Sequence, residues 1–362
     1  MNYIADLDPL GADARLQKLP EINARQDINA IARILEEIIP TFETVQLQTQ
    51  NESAATMRDL GMFLGSLKRH GVEPTEIIPK LEPILVVLSQ QTNMVPRDTL
   101  LHYSIWNPKG IRQRKYTSYE DETHLIASAS IAVPKLETAI ANLVDLHSIP
   151  VDTPEFLELC KQCTTNLMGM VEAIVYAIKN VSRQRFATEL RPYFDPILIQ
   201  GREYLGPGAV EMPLFVFDHL LWSTDNTDRQ HKQFQNGFLP YVLPKYRQLH
   251  ADFQNQPSLV TKVSAYIANN QANNVALEAA NVILGLFKIL MKFRKPHIKV
   301  VDDAYIHTED NVRDVGSGGY QASILNHITN LTEQAMMQMN KNIIEYKSTG
   351  PISKPMPIAL SR

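Results

Sequence analysis

An all-α fold is predicted, and three observations predict it. Apolar residues recur with a helical period along most of the chain, strand-like alternation is scarce, and helix-start and helix-stop residues fall where the period begins and ends. Ile28, Ile31, Leu35 and Ile38 form the first stripe, ended by Pro40. Met57, Leu60, Phe63, Leu64 and Leu67 form the second, and Gly71 supplies its stop. The stretch from Thr75 to Leu88 is apolar but carries Pro79 and Pro83, so a kinked or broken helix is expected there. Successive helices are expected over 121–146, 153–181 and 182–191. Thr153-Pro154 reads as an N-cap followed by proline at the first helical position. Further helices are expected over 210–222, 230–253, 258–268, 274–293 and 321–347. Asn236-Gly237, a hairpin signal elsewhere, here interrupts a helical pattern.

The polar stretch from Arg112 to Glu120 marks an expected boundary. It divides a small N-terminal helical domain (1–115) from a larger helical domain (116–347), followed by a tail (348–362) with three prolines and no amphipathic pattern. The 362 residues carry 35 basic and 39 acidic side chains, a net charge of −4, which gives no basic face for nucleic acid. Local basic clusters lie at Lys68-Arg69, Arg112 to Lys115 and Lys292 to Lys295, as solvated helix ends usually do. No uncharged apolar run approaches the roughly 20 residues that span a bilayer, and the N-terminus lacks the pattern of a secretion signal. No membrane association and a cytoplasmic location are therefore expected. Cys160 and Cys163 are spaced C-x-x-C on a helix. Without a second such pair or a neighbouring histidine, buried small thiols are expected rather than a redox or zinc site.

Several motifs carry chemistry. Arg294-Lys295-Pro296-His297-Ile298-Lys299 follows an apolar helix, Tyr305 lies eight residues beyond His297, and Gly316-Ser317-Gly318-Gly319 follows. Alone, these read as a histidine at a proline bend and a flexible loop. No strand precedes the glycines, so they are not a dinucleotide fingerprint. Phe186 and Arg191 are five apart, nearly opposite on an ideal helix, and Pro192 ends or kinks the helix beside them. A guanidinium turned inward there suits bidentate contact with a carboxylate, whereas one turned outward would pair with a surface acid. Gly206-Pro207-Gly208-Ala209 opens a helix through a glycine-rich turn. His102 and the segment around it read as packing and domain-interface elements, with the histidine free to face a pocket.

Together these residues resemble the C-terminal signature of the indoleamine 2,3-dioxygenase superfamily, and most closely its monodechloroaminopyrrolnitrin synthase (PrnB) branch. The likeness runs from about the second helix to Tyr346. It implies an indoleamine 2,3-dioxygenase-like helical fold binding haem b. His297 would be the iron ligand, and Gly206, Gly208, Ala209 and Arg294 would be further haem-binding residues, the arginine toward a propionate. The resemblance also implies that Phe186, Arg191, Ser317 and Gly318 bind substrate, and that Ser317 and Tyr305 belong to the catalytic group. The implied activity is oxidation of tryptophan or a related indole amino acid with molecular oxygen or peroxide. A PrnB-like rearrangement toward an aminophenylpyrrole is expected. Dioxygenation to an N-formylkynurenine-type product and a non-catalytic haem-binding protein are the alternatives, and a helical interaction module without cofactor is a third. A homodimer is compatible with this reading. One departure stands out: in 121–146 no serine falls at the spacing of the dioxygenases' distal serine, although Ser128 and Ser130 are near.

Overall fold

The computed structural model describes residues 3–269, 273–306 and 323–349, and within 303–306 and at 349 the backbone alone. These residues form an all-α fold with a single hairpin, Ile197–Ile199 paired antiparallel to Arg202–Tyr204. The hairpin turn uses Gln200 at φ 52° and Gly201 at φ 71°, the two positive φ values that match the twist of paired strands.

The described residues hold two hydrophobic cores. The smaller is built around the Gln50–Arg69 helix, capped by a reciprocal Thr49–Glu52 box and buried on every face from Ser53 to Leu67. Residues from much later in the chain, Tyr193, Phe194, Ile197 and Ile199, complete it. The larger core packs four long helices, Glu120–Ser148, Pro154–Asn180, Asn274–Ile306 and Ser323–Thr349, with shorter ones between them. Thr153 accepts from the Phe156 amide at 3.2 Å, the cap its sequence predicts. Cys160 and Cys163 are buried free thiols. Lys262 donates to the carbonyls of Leu146, His147 and Ile149 at 2.8–3.0 Å and so closes the C-terminus of the Glu120–Ser148 helix.

Some expectations change. The helix expected over 230–253 is three pieces, Arg229–Phe238, Leu239–Tyr241 and Pro244–Phe253, because Pro240 and Pro244 withhold amide donors. The segment 182–191 is a short helix, Arg183–Arg185, running into a π-helical turn over Phe186–Leu190 and a 3₁₀ turn over Arg191–Phe194. The helix expected to end at Phe293 continues through Pro296 to Ile306. By length and composition that helix, over Asn274–Asp302, could cross a bilayer, although Glu278, Lys288 and Lys292 keep any uncharged run in it well short of a bilayer's thickness, as expected. Most of it is buried against the Pro154–Asn180 and Ser323–Thr349 helices. Arg114 and Tyr116, in the stretch expected to be a polar boundary, are fully buried. Arg114 donates to both carboxylate oxygens of Asp59 at 3.0 and 3.3 Å and pairs with Asp13, while Asp59 also receives Arg58.

Candidate active site

A cavity of ≈ 340 Å³ opens between the four long helices of the larger core and is bounded elsewhere by residues of 183–218, by Phe234 and Phe238, and by Leu100 and Tyr103. That size is typical of small-molecule and cofactor sites. Each helix contributes one face at helical spacing. Glu120–Ser148 supplies Leu125, Ser128, Ala129 and Ala132; Pro154–Asn180 supplies Met170, Ala173, Ile174 and Ala177; Asn274–Ile306 supplies Phe293, Arg294, His297, Ile298 and Val301. Ser323–Thr349 adds Ile324, Leu325, Ile328 and Thr329. The alanines keep two walls low, which leaves a slot that a flat ligand can enter.

His297 projects from the third of these walls. Its helix runs unbroken through Pro296, so His297 lies one turn beyond Phe293, whose ring stacks on the imidazole at 5.4 Å and 13°. The imidazole is enclosed by protein, yet keeps accessible surface because that surface faces the cavity. Burial, assisted by Arg294, lowers its pKa to about 4, so it is neutral at physiological pH. No described residue hydrogen-bonds it. A neutral imidazole aimed into an apolar cavity, with no hydrogen-bond partner among the described residues, is the donor an iron centre requires. The residues present therefore fit a haem.

Charge on the cavity wall is sparse and unbalanced. The charged lining residues described are Arg183, Arg191, Arg294 and Asp218, three cations against one anion. Arg294 directs one guanidinium nitrogen to Asp218 and another to Thr332 Oγ1. Asp218 also accepts from Trp222 Nε1 at 3.0 Å. The remaining positions of the basic cluster face away: Lys295 pairs with Glu333 at 2.9 Å, and Lys292 is exposed.

The π-turn resolves the Phe186–Arg191 spacing. Five residues make about 1.4 turns of an α-helix, which separates the two side chains. Here the Arg191 amide donates to the Phe186 carbonyl, so five residues close one turn and both side chains line the cavity. Arg191 is 8% exposed, which sets it inside the wall rather than on the surface.

Gly208 and Ala209 line the cavity, but Gly206 does not. A Cβ at Gly206 would lie 2.7 Å from both the Phe194 carbonyl oxygen and Arg97 Nη2, so its small size serves backbone packing. The Gly208–Ala209 turn is anchored by Glu211, whose buried carboxylate accepts from the Leu100 amide at 2.5 Å. His102 is also placed differently from the expectation that it could face a pocket. It is buried outside the cavity, with Nδ1 accepting from the Thr99 amide at 3.0 Å and its ring edge-on to Trp106. Tyr305 lies on the helix that carries His297, without a described side chain, and Ser317 and Gly318 lie outside the described residues.

The sequence reading missed four cavity residues. Ser128 sits at the i, i+3 position after Leu125 and before Ala132, a helical stripe that marks it as inward-facing once the helix is known. Its hydroxyl donates to the Leu125 carbonyl at 2.7 Å, so toward the cavity it offers an acceptor. Asp218 could have been noticed as a lone acid inside the apolar run 214–222. Tyr103, which donates to the buried Glu122 at 3.0 Å, and Arg183 gave no local signal.

The family model described as monodechloroaminopyrrolnitrin synthase PrnB matches residues 3–348, nearly the whole chain. That match spans both cores and every wall of the cavity. The helical architecture accords with the indoleamine 2,3-dioxygenase-like fold of that family. With four helices enclosing an apolar slot, a neutral histidine turned into it, and a match of this extent, the protein belongs to the monodechloroaminopyrrolnitrin synthase family of oxidative enzymes.

Proposed function

We propose that the cavity binds haem b through His297 and that the protein oxidises tryptophan or a related indole amino acid, with molecular oxygen or peroxide as the oxidant, by rearranging the indole side chain. One observation carries the reading. His297 presents an uncharged imidazole, with no other partner described, to an apolar cavity whose charged lining residues are three arginines and one aspartate. Bound there, the haem would supply the redox and oxygen chemistry. The chain's own residues would do the rest. Arg191 would grip the substrate carboxylate with Phe186 against the indole ring, since the π-turn turns both inward. The apolar walls would exclude water from the reacting atoms. Ser317 and Gly318 on the substrate side, and Tyr305 in the catalytic group, are assigned on family likeness.

Ser128 favours a second reading. A hydroxyl acceptor on the wall of the Glu120–Ser148 helix suits a substrate N–H, which keeps dioxygenation across the indole 2,3-bond in play. Product mass separates the two, because dioxygenation adds two oxygen atoms to the substrate, whereas conversion to an aminophenylpyrrole adds none and releases carbon dioxide and two hydrogen atoms, which reduce the oxidant.

The test is an absorption spectrum of the protein reconstituted with haemin and titrated with L-tryptophan. A sharp Soret band that shifts saturably with tryptophan, and is lost in His297→Ala, is the expected result. A broad free-haemin spectrum in the wild type overturns the proposal.

A further inference from the structure

We infer, resting on the haem reading above, that Tyr103 is a one-electron redox site in the cavity wall, giving its electron toward the oxidised cofactor and its proton to Glu122. A cavity that activates oxygen or peroxide generates oxidising equivalents whether or not a substrate is there to take them. Among the described residues that line the cavity, Tyr103 is the single phenol, with no indole or thiol beside it. A buried phenol gives up an electron far more easily when its proton can leave at the same time, because the alternative is a cation that an apolar wall cannot solvate. Tyr103 has that exit. Its ring lines the cavity, while its hydroxyl donates to Glu122 Oε1 at 3.0 Å. Glu122 is fully buried and does not line the cavity, so a proton received there is kept apart from the substrate.

Glu122 is built to receive. Its Oε1 also accepts from the Tyr116 amide at 2.7 Å, and its Oε2 accepts from the Thr117 amide and hydroxyl, both at 2.7 Å. Four donors hold it as a carboxylate, and burial raises its affinity for a proton. Behind Tyr103 the aromatic contact continues away from the cavity. Tyr103 stacks on Tyr116 at 5.9 Å and 25°, and Tyr116 on Tyr193 at 4.4 Å and 18°. The Tyr116 hydroxyl meets the Gly61 carbonyl at 3.4 Å, an oxygen that cannot hold a proton. An electron hole shared over these rings therefore settles on Tyr103, which has a base. In the step, one electron leaves the Tyr103 ring for the peroxide-oxidised cofactor, the phenolic O–H bond breaks, and an O–H bond forms at Glu122 Oε1. A neutral phenoxyl radical is left beside a neutral carboxylic acid.

The experiment mixes haemin-loaded protein with hydrogen peroxide, without substrate, freezes it, and reads electron paramagnetic resonance. Wild type should give a free-radical signal that narrows when the protein carries ring-deuterated tyrosine, and that forms more slowly in deuterium oxide because a proton moves with the electron. Tyr103→Phe keeps the ring in the stack, so it should keep the Soret band and lose the signal. Tyr116→Phe and Tyr193→Phe should retain it. Glu122→Gln, which offers no base, should load haemin and lose most of the signal. Should that variant fail to load, the deuterium effect in wild type decides whether the proton moves. A signal that survives unchanged in Tyr103→Phe overturns the assignment. So does a loaded wild type with no tyrosine-derived signal, or a rate of formation that deuterium oxide leaves unchanged. If wild type itself gives no Soret band, the haem reading fails and takes this assignment with it, a result distinct from the others.

Discussion

Replacing Asp218 by alanine strands a cation. Arg294 is 8% exposed and Asp218 3%, so their ion pair forms almost out of water. Without the carboxylate, Arg294 keeps Thr332 Oγ1, and Trp222 Nε1 loses its acceptor. Breaking a buried pair from one side costs about 3–5 kcal/mol, and an orphaned buried N–H about 1–3 kcal/mol. Both side chains border the cavity, where water can enter and partly solvate the guanidinium, so the total should fall near the lower end of the first range, about 3 kcal/mol. Asp218→Asn keeps an acceptor and should cost about 1–2 kcal/mol. The double variant Asp218→Leu/Arg294→Met removes both charges and should be less destabilising than Asp218→Ala. Urea unfolding of the protein without added ligand, followed by far-UV circular dichroism and by the fluorescence of Trp106 and Trp222, measures all three, and unchanged m-values would show that stability alone has moved. A loss below about 1 kcal/mol in Asp218→Ala would refute the reasoning, as would a double variant weaker than both single ones, since neither fits a stranded buried charge.

Three further outcomes are expected. Lys262→Met removes a cation from three carbonyls at a helix C-terminus and, discounted for its half-exposed position, should cost about 2 kcal/mol in urea unfolding, with Lys262→Arg recovering part of it. His102 and His219 have pKa values lowered to about 3 and His231 to about 4, each mainly by burial. At each of these rings the unfolded chain therefore binds up to one proton more than the native one below about pH 6.5, so each makes stability fall from there toward pH 4 by up to about 1.4 kcal/mol per pH unit, against which the raised pKa values of the buried Asp98, Glu122 and Glu211 act in the opposite sense. A pH slope over that range left unchanged when these rings are substituted would contradict their buried, neutral placement. Burial pushes the Cys160 thiol up to about 12 and raises that of Cys163 too, so neither should react with a thiol reagent at pH 8 until the protein unfolds, as mass spectrometry of labelled protein would show.

Much of the helical framework was legible because its signals are local. The stripe ending at Pro40, the cap at Thr153 and the stop at Gly71 each depend on residues within a turn or two of one another. The failures have equally physical causes. Pro240 and Pro244 lie within an apolar period strong enough to suggest one helix, yet each lacks the donor that a continuous helix needs. Pro296 did the reverse: packing on two neighbouring helices carries its helix past the missing hydrogen bond. Ser128 was dismissed on spacing, although the stripe it shares with Leu125, Ala129 and Ala132 directs it inward. Least legible were the buried charges. A sequence shows Arg114 as a cation in a polar stretch, while its partner Asp59 is 55 residues away. Likewise Arg294 reads as part of a basic run until Asp218, 76 residues earlier, is seen to hold it.

The π-turn at Phe186–Leu190 makes this cavity wall depend on residue count as well as residue type. It holds one more residue per closed turn than an α-helix and so acts as a phase shift between the Arg183–Arg185 helix and everything after it. Regularising this turn to an α-turn at unchanged length would rotate Arg191 by about 100° relative to Phe186, whereas deleting one residue would set the two four apart on an ordinary turn and keep them on one face. The deletion variant should therefore fold with Arg191 still facing the cavity. Relatives of this chain can therefore be sorted by alignment length across this one turn before any side chain is compared.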